Sequence, residues 1–288
     1  MLKSTAILFL IFILTSSAFA QDKDSLTFVK THWIKSKIAR QVKLFKYHFN
    51  GKNLFDANEH ISFLEVKNNG RKAIFAIEAE EKELITTSDF GTKATALAGI
   101  NGNFFDVKNG GSVDFVRVDG KIINSNRLEK NRNRAFHQRS AVVIEDGKIA
   151  LKKWDGSTDW EKNLIEKDVL LNGPLLALNG INEALDTGAF NRLRHPRTCL
   201  GIKPNGRVIL LTVDGRNENS AGMSLFELTK IMRWLGCVDA INFDGGGSTT
   251  LWVNGYPNNG VVNYPTDNKK WDHEGQRKVA NVILIKKK

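Results

Sequence analysis

Cysteine and proline are scarce in this 288-residue chain, with two and five residues. Two cysteines exclude a small disulfide-stapled scaffold, and Cys199 and Cys237 have neither metal-site spacing nor a flanking histidine that would mark a nucleophile. Their apolar neighbours suit free buried thiols, although one disulfide is open to them. Few prolines beside 24 glycines exclude collagen and proline-rich linkers. The most extended apolar run, Ala6 to Leu14, is too short for a membrane helix, so a polytopic membrane protein is excluded. No Gly-x-x-x-x-Gly-Lys-[Ser/Thr], Gly-x-Ser-x-Gly or His-Glu-x-x-His occurs, nor a Gly-x-Gly-x-x-Gly between a strand and a helix. P-loop, dinucleotide, hydrolase-elbow and zincin chemistries therefore have no support.

What is present is an ordinary globular composition, 41% hydrophobic, with Lys+Arg 42 against Asp+Glu 31 and a formal charge of +11. A chain of this length buries about three quarters of its unfolded surface. At the N-terminus Lys3, the apolar run and Ala18-Phe19-Ala20 follow the order of a signal peptide over 1–20. Export to the periplasm or beyond is expected; a buried helix or an uncleaved anchor would read similarly. The charge permits nucleic acid, but no binding motif occurs and export separates the chain from the genome, so nucleic acid is not an expected partner.

Strand patterns dominate, and the expected fold is α+β: one compact domain with a mixed, strand-rich core sheet and two or three helices. Residues 21–85 read as a strand-rich N-terminal segment and 86–288 as the main domain. Asn69-Gly70 signals a hairpin between Ile61–Val66 and Ala73–Ile77. Thr87 or Ser88 caps a helix reaching Ala96, and residues 154–167 read as a surface insertion. Apolar 169–178 carries Asn172-Gly173-Pro174, a strand broken by a turn. Lys203-Pro204-Asn205-Gly206 joins a hairpin, and Ser224 with Glu227 forms a capping box before a helix ended by Gly236.

Two apolar strands end alike, one in Asp214-Gly215-Arg216 and the other in Asp244-Gly245-Gly246-Gly247-Ser248. Asp-Gly at a strand end is a turn or a carboxylate held where a ligand can approach. Three glycines in a row cost conformational entropy, which favours the second reading at Asp244. Such a loop is suited to aiming several N–H groups at an anion. Arg197, set by Pro196 at a strand start, offers a planar fork for phosphate, or a surface ion pair. His195 is a proton carrier or a fixed loop corner. The basic stretch holding Arg127, Lys130, Arg132, Arg134 and Arg139 lines an entrance for an anionic polymer or is a solvated loop.

In chain order come Asn101-Gly102-Asn103-Phe104-Phe105-Asp106, His195-Pro196-Arg197-Thr198, Val213-Asp214-Gly215-Arg216, Gly222-Met223-Ser224-Leu225, and Asp239-Ala240 running on to Asp244-Gly245-Gly246-Gly247-Ser248-Thr249-Thr250. Together these resemble the phosphodiester glycosidase family over about 96–285, most specifically over 195–250. The resemblance implies an exported bacterial hydrolase cleaving the bond between a sugar anomeric carbon and a phosphodiester, with a carbohydrate or sugar-phosphate substrate. It implies Asp214 and Asp244 as acid/base or nucleophile, with Asn101 orienting them or the sugar. Arg197, Thr198, Arg216, Gly245, Gly246, Gly247, Ser248, Asn103, Asp106, His195 and Arg277 are the implied substrate and phosphate contacts. No cofactor is required, although Asp214 and Asp244 are hard oxygen ligands for a divalent cation. Gln276 stands where the family usually has Glu, which bears on substrate class. The alternatives are a glycosidase for unphosphorylated glycan and a non-catalytic glycan-binding or exopolysaccharide-assembly module.

Overall fold

The computed structural model describes residues 23–128 and 133–288; the expected signal at 1–20 and the basic residues Lys130 and Arg132 lie outside the described residues. Three sheets surround a shared core. The eight-stranded sheet runs, in spatial order, Ile34–Ala39, Val42–Leu54, Ala57–Lys67, Arg207–Val213, Arg197–Ile202, Asp239–Asn242, Leu175–Leu178 and Ile181–Asn182. A five-stranded sheet holds Lys121–Asn124, Val116–Val118, Asp168–Leu171, Ser140–Glu145 and Lys148–Lys153. A four-stranded sheet holds Leu251–Val253, Ala98–Asn101, Asn281–Lys287 and Ala73–Ala79.

Period-two alternation explains how each strand serves two layers. Val142, Ile144 and Leu170 face the shared core, while Ala141, Val143, Val169 and Leu171 face a second cluster with Trp160. Val208 and Leu210 face the shared core, and Ile209, Leu211 and Val213 pack under the helices Lys23–Val29 and Leu225–Trp234. Ile283 and Ile285 point inward, while Val282 and Leu284 meet Phe90 of the helix Thr87–Lys93. Burial on both faces turns alternating strands into nearly continuous apolar runs.

Several expectations change. The core is three sheets rather than one mixed sheet, and among the described residues every strand pairing is antiparallel. Five short α-helical segments are described, and only Leu225–Trp234 reaches 10 residues. Asn69-Gly70 makes a turn with Gly70 at φ +62°, but its flanking strands part company. Ala57–Lys67 pairs with Arg207–Val213, whereas Ala73–Ala79 pairs with Asn281–Lys287 in another sheet. The helix cap is Thr86, one residue before the expected position, with its Oγ1 accepting from Asp89 N. The Lys203–Gly206 hairpin and the Ser224–Glu227 capping box form as expected.

The helix Leu225–Trp234 carries the chain from Arg207–Val213, across Arg197–Ile202, to Asp239–Asn242. Both flanking strands run antiparallel to the one between them, so they run parallel to each other without touching. Their C-terminal ends, and therefore Asp214 and Asp244, lie on one sheet edge, two strand spacings or about 10 Å apart.

The 154–167 stretch is mostly exposed, as expected of a surface insertion, but it is anchored at two residues. Trp160 is 6% exposed against Phe115, and Glu161 is buried between Arg134 and Asn126. Trp160→Ala is therefore expected to cost about 3–5 kcal/mol in chemical denaturation; a loss below about 1 kcal/mol would show that Trp160 does not anchor the segment.

Candidate active site

All three sheets deliver strand ends to one place. From the eight-stranded sheet come Pro196, Asp214 and Asp244; from the four-stranded sheet, Asn101 and Asn281; from the five-stranded sheet, Leu171 leading into Asn172-Gly173-Pro174. Asn101 Nδ2 donates to the Asp244 carbonyl at 2.7 Å, and Asn101 Oδ1 accepts from Thr198 Oγ1 at 2.7 Å and Thr250 N at 3.1 Å. Asn103 Nδ2 donates to Leu171 O, while its Oδ1 accepts from Ser112 Oγ and Asn281 Nδ2. Asn101, Asn103 and Thr198 are thus brought to the site as buried supports.

The glycine run has a separate reason at each position. A Cβ on Gly245 would meet Pro196 O at 2.5 Å, and one on Gly246, itself at φ +60°, would meet the Arg216 guanidinium at 3.1 Å. On Gly247 it would strike Asp267 Oδ1 at 2.4 Å and Arg277 Nη2 at 2.7 Å. Two guanidinium groups thus lie against consecutive glycines just beyond Asp244. Arg277 is held by Asp267, with Nε to Oδ1 at 2.8 Å, and Arg216 is exposed with Nη2 at 3.5 Å from His195 Nδ1. The expected concavity of several N–H groups does not form. Gly246 N, Ser248 N and Thr249 N donate to the carbonyls of Pro196, Gly245 and Gly246, so the loop closes on itself in a short 3₁₀ turn.

Burial pushes the Asp244 carboxyl up to about 6, against the pull of the Ser248 hydroxyl, Arg277 and Gly245 N–H and with added repulsion from Asp114. His195 is lowered by burial and by Arg197 and Arg216, which favours neutral imidazole.

Asp214 differs. It is 1% exposed; Oδ2 accepts from His60 Nδ1 at 2.7 Å, and Oδ1 from Asn263 Nδ2 at 2.7 Å and Tyr264 N at 3.0 Å. Three hydrogen bonds thus hold the Asp214 carboxylate in place. Among the described residues no cluster of three or more His, Cys, Asp or Glu is arranged for a metal. Arg197 is 1% exposed and lies over the Phe190 ring. Its Nε and Nη2 donate to the carbonyls of Met223, Phe190 and Leu193, and burial lowers its pKa to about 10, still cationic at neutral pH. Asp106 forms a turn with Lys108 and Asn109 and pairs with Arg127. With Arg134 on Glu161 and Arg139 against Phe136 and Trp154, the basic stretch is divided among separate partners.

Residues 94–286 match the family described as phosphodiester glycosidase. The chain belongs to that family. Bovine N-acetylglucosamine-1-phosphodiester alpha-N-acetylglucosaminidase is 38% identical over 222 residues, covering 71% of this chain and 39% of the relative. The mouse protein of that name is 26% identical over 217 residues, covering 71% and 40%. The chain thus spans about two fifths of the length of these curated relatives. Among solved structures, the zebrafish enzyme's catalytic domain, auto-inhibited by its pro-peptide, superposes with TM-score 0.64 at 19% identity. It covers 89% of this chain and 88% of that one. A hypothetical protein from Synechocystis also gives 0.64, at 13% identity, covering 88% and 64%. The enzymes named in these relatives are glycosidases, and so hydrolases as a class.

Within the family frame, Gln276 has a structural use. Its Oε1 accepts from Ser88 N at 3.2 Å and its Nε2 donates to Ser88 Oγ at 3.0 Å, tying the 266–279 segment to the helix Thr87–Lys93. Sequence reading missed His60 and His137. Each gives Nδ1 to a buried aspartate, Asp214 and Asp114 respectively. Neither sits in a motif, and only the fold brings its partner across 154 or 23 positions of chain. Cys199 and Cys237 are free and buried, and burial pushes the Cys237 thiol up to about 12. No described helix is long and apolar enough to cross a membrane.

A raised carboxyl binds its proton more tightly in the folded state. Its stabilising protonation is complete below the unfolded value near 3.8 and is lost as pH rises through about 6. Asp244→Asn is therefore expected to melt above the wild type at pH 8, by about 1–3 kcal/mol, with the gap closing below pH 4. Equal melting at both pH values would show an unshifted Asp244.

Proposed function

We propose that this chain hydrolyses the bond between a sugar anomeric carbon and a phosphodiester, and acts outside the cytoplasm on a phosphorylated glycan. The observation that carries the reading is Asp244, a carboxyl poised near 6 and drawn by Arg277, at the head of a glycine loop on which Arg277 and Arg216 are pressed. Arg216, exposed and steadied by neutral His195, and Arg277 take the phosphate oxygens. Asp244 in its acid form gives its proton to the departing oxygen. Phosphate leaves readily, so charge stabilisation by the arginines carries more of the barrier than protonation does.

The roles divide differently from the paired carboxylates that the motifs alone imply. In this reading Asp244 meets the substrate, while Asp214, enclosed by His60, Asn263 and Tyr264, sets the 263–277 segment that bears Asp267 and Arg277. Arg197 steadies the 190–193 and 223 carbonyls beneath the loop, and Asn101, Asn103 and Thr198 fix its backbone. Support for action outside the cell comes from the signal-like N-terminus, and the +11 charge suits an anionic glycan.

The mature protein is expected to turn over an aryl glycosyl phosphodiester. Asp244→Asn should lower kcat by ~10²–10⁴, and Arg216→Ala should lower kcat/KM by ~10²-fold. Equal turnover of the unphosphorylated aryl glycoside would replace this reading with that of a plain glycosidase. Saturable binding of phosphorylated glycan without turnover would make the chain a binding module.

A further inference from the structure

An open pocket of about 340 Å³ is lined by Phe104, Phe136, His137, Pro174, Asp186 and Phe190. Its lining segments are tied through the backbone to the strand that leads into Asp244. Phe104 follows the Asn101–Asn103 supports, and the Gly102 carbonyl accepts from Asp244 N. The Pro174 carbonyl accepts from Asn242 N, two residues before Asp244, and Phe190 stacks on Arg197. A Cβ on Gly173 would come within 3.2 Å of His137 Cα, so the turn before Pro174 packs directly on the histidine.

His137 is the polar centre of this apolar pocket. Its Nδ1 lies 2.8 Å from Asp114 Oδ2, and Gln138 Nε2 donates to Asp114 Oδ1 at 2.9 Å. The Asp114 side chain is fully buried, whereas the His137 side chain is 28% exposed. Among the described residues no other ion-pairing partner reaches Asp114, so the imidazole is oriented with Nδ1–H inward and Nε2 on the opposite side of the ring. No described residue bonds Nε2. Asp186, the other carboxylate at the pocket, accepts from Gly188 N and Asn191 Nδ2. Phe104, 4.7 Å from the imidazole by ring centroids and 6.0 Å from Phe190, continues the wall into an aromatic corner.

We infer that His137, oriented by Asp114, is the second proton-transfer group of this site, and that the Phe104–Phe136–Phe190 corner receives the apolar face of the sugar ring. The inference rests on the glycosyl-phosphodiester reading above. His137 Nε2 takes a proton from water as the water oxygen bonds to the anomeric carbon. The C1–O bond breaks with its electron pair on the phosphate oxygen, which receives the Asp244 proton. The imidazolium then loses its proton to solvent, and Asp244 is reprotonated from solvent. Asp114 is a positioning residue that also stabilises the transient imidazolium. The repulsion between Asp114 and Asp244 agrees with two proton-handling groups sharing one neighbourhood.

The test compares wild type, His137→Gly, His137→Asn and Asp114→Asn on an aryl glycosyl phosphodiester. His137→Gly is expected to lose ~10²–10⁴ in kcat with KM changed less than about threefold, and added imidazole is expected to restore at least ~10-fold of the loss. His137→Asn keeps a donor toward Asp114. It should fold with an unchanged melting temperature, lose a similar factor, and provide the comparison if the glycine variant does not fold. Asp114→Asn should lose less than either. Full kcat in His137→Asn, or a His137→Gly loss that imidazole does not touch, overturns the His137 role and leaves the parent reading standing. Absence of wild-type turnover on sugar phosphodiesters removes both.

Discussion

Everything at the site hangs on a small set of buried amides. Asn281 Oδ1 accepts from Asn103 N at 2.8 Å and its Nδ2 donates to Asn103 Oδ1 at 2.6 Å. Asn103 reaches the five-stranded sheet at Leu171, and Asn101 reaches the eight-stranded sheet at Thr198 and the Asp244 carbonyl. A hydrogen bond of this kind contributes only about 0.5–1.5 kcal/mol net, but an unpaired buried partner costs about 1–3 kcal/mol. The network therefore fixes relative position more than it stabilises. Three sheets with apolar faces can slide against one another; three sheets sharing these amides have one register.

Charge is rationed in the same region. Glu59 is buried and its pKa is pushed up to about 9 by that burial, so it is neutral at pH 7. The Ser220 hydroxyl lies 2.7 Å from the Asp214 carbonyl and 3.2 Å from Glu59 Oε2, which also accepts from Gly222 N; these bonds pull against the burial without overcoming it. The interior beneath the 214–222 loop therefore carries one anion, Asp214. The fixed positive charge of Arg216 and Arg277 is left for the solvent-facing side.

Much of this was legible in the sequence, for identifiable reasons. Capping at Ser224 and the 203–206 turn are local, so the residues concerned state them directly. The shared ending of two apolar strands in Asp-Gly was legible too, and its cause is the helical crossover that leaves both strands pointing the same way. The division into three sheets was hidden, because burial on both faces erased the alternation that would have shown which side each strand turns to a neighbour. Asn69-Gly70 misled for a related reason: a turn signal states that the chain bends, not which strands it joins. The roles of Arg197 and Asp214 were hidden because side-chain chemistry alone does not say whether a charged group faces solvent or its own backbone. His60 and His137 stood outside every motif, their aspartates brought to them only by the fold.

The glycine run has one more consequence. Gly245, Gly246 and Gly247 are each crowded from outside, by the Pro196 carbonyl, by Arg216, and by the Asp267–Arg277 pair. The loop itself has no room to vary, so any drift in substrate preference has to be written into those facing residues. Arg216 sits on one loop and the paired Asp267 and Arg277 on another, so the two positions facing the turn can change independently of each other. Relatives that differ in substrate would then share an unaltered glycine turn and diverge around it, like locks cut on one blank.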